Sequence, residues 1–502
     1  MRPRRIVVVG AGGSGIPLAV RLVEAGHEVV VLEAGPRVAP ASPAAPAPDD
    51  ARTVRLGLPD GPVSWTYDAE LFPGRPWRIA RGRLVGGSTA VNGAYFQRPH
   101  PDDFAVWAEV AGDEWTWKAC LPALRRLESD LDFPDDPRHG GTGPMPVTRP
   151  PRDPATRAFL AAAAAAGAAE EHDKNGGGPS GAGLLPRNAV DAERRDVARS
   201  YLDASPAAAA LDIRSGTTAV RVRIRSGRAL GVEVDGDEGF VPADEVVLCA
   251  GAIETPRLLL RSGVGAPAAV STDVALASPR RGVGRGLSDH PALELSWSAR
   301  DGALAADPIA AWTAAWNAPA GTVADAPIEY LWAGLPTAAI LTGDLRAGGP
   351  LDLRMTLARP RSRGAVSLGP DAVVRYDYLA DPADLAALRA AVRTGARLLR
   401  DPALADAVAA ADIPAWVDEA AADDVADAWI RARIGTALHS CGTARMGAED
   451  DPDAVADPHG RVHGVEGLRV GDASLLPGVP SRGTALTAVL LGERIAELMR
   501  DE

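Results

Sequence analysis

RIVVVGAGGSGIPLAVRLVEAGHEVVVLEAG, residues 5–35, reads as a strand, a glycine-rich turn, a helix and a second strand. Residues 6–9 are a short β-branched run of strand character, Gly10-Ala11-Gly12-Gly13-Ser14-Gly15 is a glycine-rich turn, and residues 17–24 read as a helix. In that order each glycine has a task. Gly10 permits the tight turn, Gly12 lets the backbone approach a pyrophosphate, and Gly15 lets the helix pack on the strand. The helix N-terminus, entered through Ser14, stabilises phosphate charge. Gly10, Gly12, Ser14 and Gly15 are therefore candidate cofactor-binding residues. A second strand, residues 28–32, ends on Glu33, a carboxylate suited to accept the hydroxyl hydrogens of an adenosine ribose and to repel a 2'-phosphate. The fingerprint by itself leaves NAD, NADP and FAD open, with NADP disfavoured by Glu33.

The 502 residues, 46% of them hydrophobic, suffice for a large core divided over two or three domains. A net charge of -13, spread along the chain, repels phosphate backbones and anionic membranes, so nucleic acid is not an expected partner. Cys120, Cys249 and Cys441 have no short paired spacing, which suggests neither a disulfide framework nor a zinc cluster. No metal is expected, and a reducing cytoplasm is the expected compartment. No run approaches the roughly 20 apolar residues of a membrane span. The first strand follows Met1 so closely that no cleaved signal is expected.

The next informative segment is RGRLVGGSTAVNG, residues 81–93, whose glycines let the backbone run close against a flat ligand. Here the sequence resembles the glucose-methanol-choline (GMC) oxidoreductases, whose first signature is a Gly-Gly-Ser turn followed by Asn-Gly. The resemblance continues at Ala250-Gly251-Ala252-Ile253-Glu254-Thr255-Pro256 and at Ser288-Asp289-His290-Pro291. It returns at His439-Ser440-Cys441-Gly442-Thr443 and at Val470-Gly471-Asp472, and so covers the chain from end to end.

The resemblance implies an α/β chain, α+β overall: a Rossmann-like FAD-binding domain with a parallel sheet, plus a substrate domain of antiparallel sheet covered by helices. The FAD domain is expected from residues 1–150, 185–300 and 435–502, and the substrate domain from 151–184 and 301–434 with contributions from loops in 36–150. Within the latter, residues 351–357, 364–368 and 373–378 read as strands and 382–399 as a helix. Residues 40–48, 135–143 and 175–183 are the Pro- or Gly-rich loop candidates. By the same resemblance Gly86, Gly87 and Ser88 run along FAD, Asn92 and Asp472 approach the flavin and its diphosphate, Glu33 meets the ribose, and Val220 lies near the adenine. Packing alone would account for Val220, and a turn for Asn92. Some family members attach the flavin through a histidine just after the Gly-Gly-Ser turn. This chain has Ala90 and Val91 there, so noncovalent FAD is expected.

A flavin that oxidises an alcohol accepts hydride at N5, and the transfer becomes easier as the hydroxyl proton leaves, so the site needs a base beside the carbinol. His439 occupies the family's catalytic position, and the other seven of the eight histidines read as structural or solvated. The family's second catalytic residue is a His or Asn in the loop before the last helix, and aligning that loop places Ala485 there. Alanine can neither take a proton nor hold an alkoxide; Ser481, Thr484 and Thr487 are the candidate substitutes. In detail, residues 91–96, 441–447 and 480–483 look most like mycofactocin-associated members, which carry a histidine where this chain has Ala485. The expected function is FAD-dependent oxidation of a CH-OH group in a small-molecule substrate, with oxygen, a quinone or a protein carrier as the open choice of electron acceptor. Two alternatives stand beside it: lyase, isomerase or oxidative-cyclisation chemistry, suggested by Ala485, and noncatalytic flavin binding.

Overall fold

The computed structural model describes residues 3–37, 58–305, 307–342, 348–369, 373–419 and 423–502. At its centre is a parallel sheet in the order Asp212–Ser215, Glu28–Glu33, Arg5–Val9, Glu245–Leu248, Leu468–Val470. Ile6, Val7 and Val8 are fully buried, as a strand covered on both faces requires, and this is why the segment reads as an unbroken apolar run. Its neighbours come from distant parts of the chain, so the sheet closes only when residues near 245 and 469 return to the first strand.

Helix Gly15–Glu24 packs on the C-terminal helix Ala485–Arg500. A Cβ on Gly492 would lie 2.2 Å from the carbonyl oxygen of Ser14, so the two helices approach backbone to backbone. The same contact buries Glu493, which accepts hydrogen bonds from Arg21, Arg126 and Tyr201. A buried carboxylate is tolerated because these donors replace its water.

An antiparallel sheet stands beside this layer, in the order Val408–Ala411, Pro291–Ala299, Leu351–Leu357, Ile328–Ala333, Trp312–Ala318, Ala182–Leu184. Helix Pro382–Leu399 covers it, with Gly395 against the Met355 sulfur. Trp297, Trp332 and Phe159 stack within its core. The parallel sheet with helices and the separate antiparallel sheets are the α/β architecture expected. Pro291–Ala299 is an inner strand of the antiparallel sheet, although the expected boundary fell at 300. The strands expected at 364–368 and 373–378 are the shorter Gly364–Val366 and Val374–Arg375; they join hairpin Ser64–Glu70 and Pro76–Gly82 in a further sheet. The loop expected at 40–48 lies outside the described residues. Among the described residues no helix is long and apolar enough to cross a membrane.

Candidate active site

A cavity of 810 Å³ opens where the carboxyl ends of the parallel strands meet loop 436–440 and the start of helix Ala485–Arg500. That is large for a small-molecule site, for which roughly 300–1,000 Å³ is usual, and it lies where open α/β sheets bind ligands. Gly10, Gly12, Ser14, Glu33, Gly87, Ser88, Asn92, Asp472 and His439 all line it, whereas Gly15, Gly86 and Val220 do not.

The two glycine turns form the floor. A Cβ on Gly87 would stand 2.8 Å from the Gly12 Cα, while a Cβ on Gly12 would meet no protein atom closer than 3.8 Å and would project into ligand space. Gly15 packs instead: its Cβ would fall 1.9 Å from the Gly10 oxygen. Gly86 supplies a positive φ of 101° at the turn. Helix Gly15–Glu24 begins with no side-chain cap and no acidic residue in its first turn, so neither its cap nor its own first turn brings a carboxylate to its N-terminal N–H groups. Glu33 Oε2 accepts from Ala11 N at 3.0 Å and Oε1 from Gly35 N at 2.9 Å, tying strand end to turn. Burial raises its pKa against those two hydrogen bonds, and each oxygen keeps a second acceptor position for a ribose hydroxyl. The bare floor, the uncapped helix start and the strand-end carboxylate fit the dinucleotide half of FAD.

Other expected contacts are occupied within the protein. Asn92 Oδ1 accepts from Ala94 N at 3.0 Å, a local turn, and Ser88 Oγ accepts from Gly82 N at 3.1 Å. Asp472 accepts from Gly251 N, Thr255, and both the N–H and hydroxyl of Ser474, which joins three loops at the cavity edge. Val220 is 43% exposed, and its neighbours Thr217, Thr218 and Ala219 line the cavity in its stead.

His439 sits on a loop held by its backbone. Asp289 Oδ1 accepts from the His439 N–H at 2.8 Å, Asp289 Oδ2 from the Ser440 hydroxyl, and Arg81 donates to the Leu438 carbonyl and to Ser440. Leu438 has φ of 63°, a left-handed conformation that costs a non-glycine residue energy and persists because these bonds hold it. His439 Nδ1 lies 2.9 Å from His290 Nδ1, and His290 Nε2 lies 2.8 Å from the Pro480 carbonyl. On the cavity side, His439 Nε2 lies 3.2 Å from Tyr95 Oη. Burial first, then the positive neighbours, holds His439 well below the usual histidine range, and burial lowers His290 to about 4.

Sequence reasoning placed His290 among the structural histidines; the fold makes it the partner of His439. A single sequence gives no sign of that, since the two lie 149 positions apart. Tyr95, three positions after Asn92, was missed for the same reason. Of the candidate substitutes for Ala485, Ser481 is engaged with Asp103 and Thr487 lies off the cavity, whereas Thr484 lines it together with Ala485. Away from this site the fold brings Glu128, Asp130 and His139 together, a cluster that sequence spacing did not signal. Arg98 and Arg149 pair with its carboxylates, and the hydrogen bonds that His139 donates to Asp173 and Glu128 outweigh burial to hold it at about 9. With Arg98 on Glu128 and Arg149 on Asp130, the cluster forms a buried ion-pair network.

Comparison with known proteins agrees with the geometry. Residues 7–292 match the N-terminal and residues 360–492 the C-terminal model of the GMC oxidoreductases. The chain is 35% identical, over 98% of its length and 97% of the relative's, to an uncharacterized GMC-type oxidoreductase in the thcA 5' region of Rhodococcus erythropolis. It is 31% identical, over 99% and 95%, to the oxygen-dependent choline dehydrogenase of Escherichia coli K12. The crystal structure of pyridoxine 4-oxidase from Mesorbium loti superposes with a TM-score of 0.86 at 27% identity, covering 99% of both chains.

Proposed function

The chain belongs to the GMC family and is an FAD-dependent oxidoreductase; from that premise we propose that it oxidises the CH-OH group of a small or medium organic alcohol, with His439 taking the hydroxyl proton. One observation carries the reading, the run of contacts from the Pro480 carbonyl through His290 to His439, from which the direction of a proton chain follows. A carbonyl oxygen can only accept, so His290 Nε2 must donate to Pro480. Neutral His290 then presents a bare Nδ1, to which His439 Nδ1 donates. His439 Nε2 is thereby left without a hydrogen, facing the cavity, with a lone pair for an alcohol proton. The low proton affinities of both rings keep them neutral near pH 7. Glu33 and the glycine floor hold the dinucleotide, and Asp472 fixes the loop at the flavin end. Bound FAD supplies the two-electron acceptor for the carbinol hydride.

The reading is tested by mixing the purified protein with primary and secondary alcohols under anaerobic conditions and following its visible spectrum. Loss of the oxidised flavin bands on adding alcohol is expected. Admitting air afterwards sorts oxygen from a quinone or protein carrier as acceptor. A flavin that no alcohol reduces would favour the second reading, nonoxidative or cyclising chemistry, for which Ala485 on the cavity wall is the motivating observation.

Two further outcomes follow from the site. A base must be unprotonated, and His439 is held well below 6.5. The limiting reduction rate is therefore expected to stay level as pH falls from about 8 through 6.5, where an ordinary histidine would lose its lone pair. A pH-rate profile falling with an apparent pKa near 6.5 would contradict this. The covalent-attachment position carries Ala90 and Val91, which offer no nucleophile. Acid precipitation is expected to release all flavin into the supernatant, and yellow colour in the pellet would show a covalent bond.

A further inference from the structure

Tyr95 is a second polar group at the reacting nitrogen. Its Oη lies 3.2 Å from His439 Nε2, and the rings meet edge to face at 81°. The chain anchored at Pro480 leaves Nε2 bare, so this hydrogen bond has one sense: the phenol donates and the imidazole accepts. The ring owes its position to Gly483. A Cβ there would lie 2.2 Å from Tyr95 Cε2 and 2.3 Å from its Oη, so a side chain at 483 and the phenol exclude each other. Gly483 stands two residues before Ala485, whose side chain lines the same cavity. The loop that lacks a polar group at 485 is thus the loop that makes room for a phenol arriving from the other glycine-rich segment.

From this juxtaposition we propose that Tyr95 takes the place of the polar side chain absent at Ala485, its hydroxyl holding the substrate oxygen while His439 removes the proton; this rests on His439 being the base. The arriving alcohol inserts between the two groups. Its oxygen accepts from the phenol and its hydrogen points to Nε2. The O–H proton passes to Nε2, bound FAD would supply the acceptor for the carbinol hydride with its electron pair, and the new carbonyl oxygen keeps the phenol hydrogen bond. Tyr95 is unchanged at the end and needs no further reactant. Burial raises its proton affinity well above the usual tyrosine range, which keeps it a donor throughout the working pH range.

Tyr95→Phe keeps the ring and removes only the hydroxyl. With the flavin spectrum unchanged, its limiting rate of anaerobic reduction by alcohol is expected to fall about 10²-fold, the usual loss for one oriented donor. Adding Ala485→Asn to Tyr95→Phe restores a donor on the same wall and is expected to recover at least about tenfold of that loss. Equal rates in Tyr95→Phe and the parent overturn the assignment and leave the His439 reading intact, and so does a slowed Tyr95→Phe that Ala485→Asn does not relieve. Failure of the parent itself to be reduced by any alcohol removes the His439 reading and this assignment together.

Discussion

His439→Ala is expected to purify with its flavin and to be reduced by alcohol about 10²–10⁴-fold more slowly than the parent, which corresponds to roughly 3–5 kcal/mol of barrier. The flavin should stay because the loop is held through main-chain and neighbouring groups: Asp289 takes the His439 N–H and the Ser440 hydroxyl, and Arg81 holds the Leu438 carbonyl. None of these bonds uses the imidazole. Stopped-flow reduction under anaerobic conditions, with the spectrum of the resting variant as control, measures both halves of the expectation. Unchanged reduction would remove His439 from the chemistry. A variant that emerges colourless would show that the ring supports the site rather than reacts in it.

Gly10→Ala is expected to damage the fold itself, and Gly12→Ala only the loading of FAD. A Cβ on Gly10 would lie 2.5 Å from the Cys249 oxygen and 2.9 Å from its carbonyl carbon, and φ there is 103°. Both obstacles are backbone of Cys249, the residue just past the end of the neighbouring parallel strand, so no rotamer relieves them. The conformational and overpacking costs together come to roughly 2–5 kcal/mol. A Cβ on Gly12 meets only the Gly87 Cα at 3.8 Å, ordinary contact distance, and points where a dinucleotide would lie. Thermal unfolding of the flavin-free proteins should therefore show a lowered midpoint for Gly10→Ala and a parental one for Gly12→Ala, while the ratio of flavin to protein absorbance drops for both. A stable, fully yellow Gly12→Ala would mean that the pyrophosphate does not pass over this turn.

Much of this was legible along the chain because the information is local. The run Ile6 to Val9 must be covered on both faces, Gly10 must turn where a side chain would collide, and Glu33 must end the second strand; each follows from a few consecutive residues and the geometry of strand, turn and helix. Helix Pro382–Leu399 and strand Leu351–Leu357 were readable for the same reason, from the spacing of their apolar residues. The shorter strands were less so, since Val374–Arg375 exists through its partners more than through its own pattern.

The dinucleotide fold and the family were readable along the chain, and so was the candidacy of His439. What surrounds that histidine depends on the assembled fold. His290, Tyr95 and the loop that carries both Pro480 and Gly483 come from three separate segments, and no periodicity or spacing within any of them encodes where the others will stand. Their meeting is fixed by sheet closure and helix packing, which bring residues hundreds of positions apart within hydrogen-bond distance. The same packing buries these polar atoms, so each must find its partner within the group, and that requirement sets His439 between His290 and Tyr95 at the cavity.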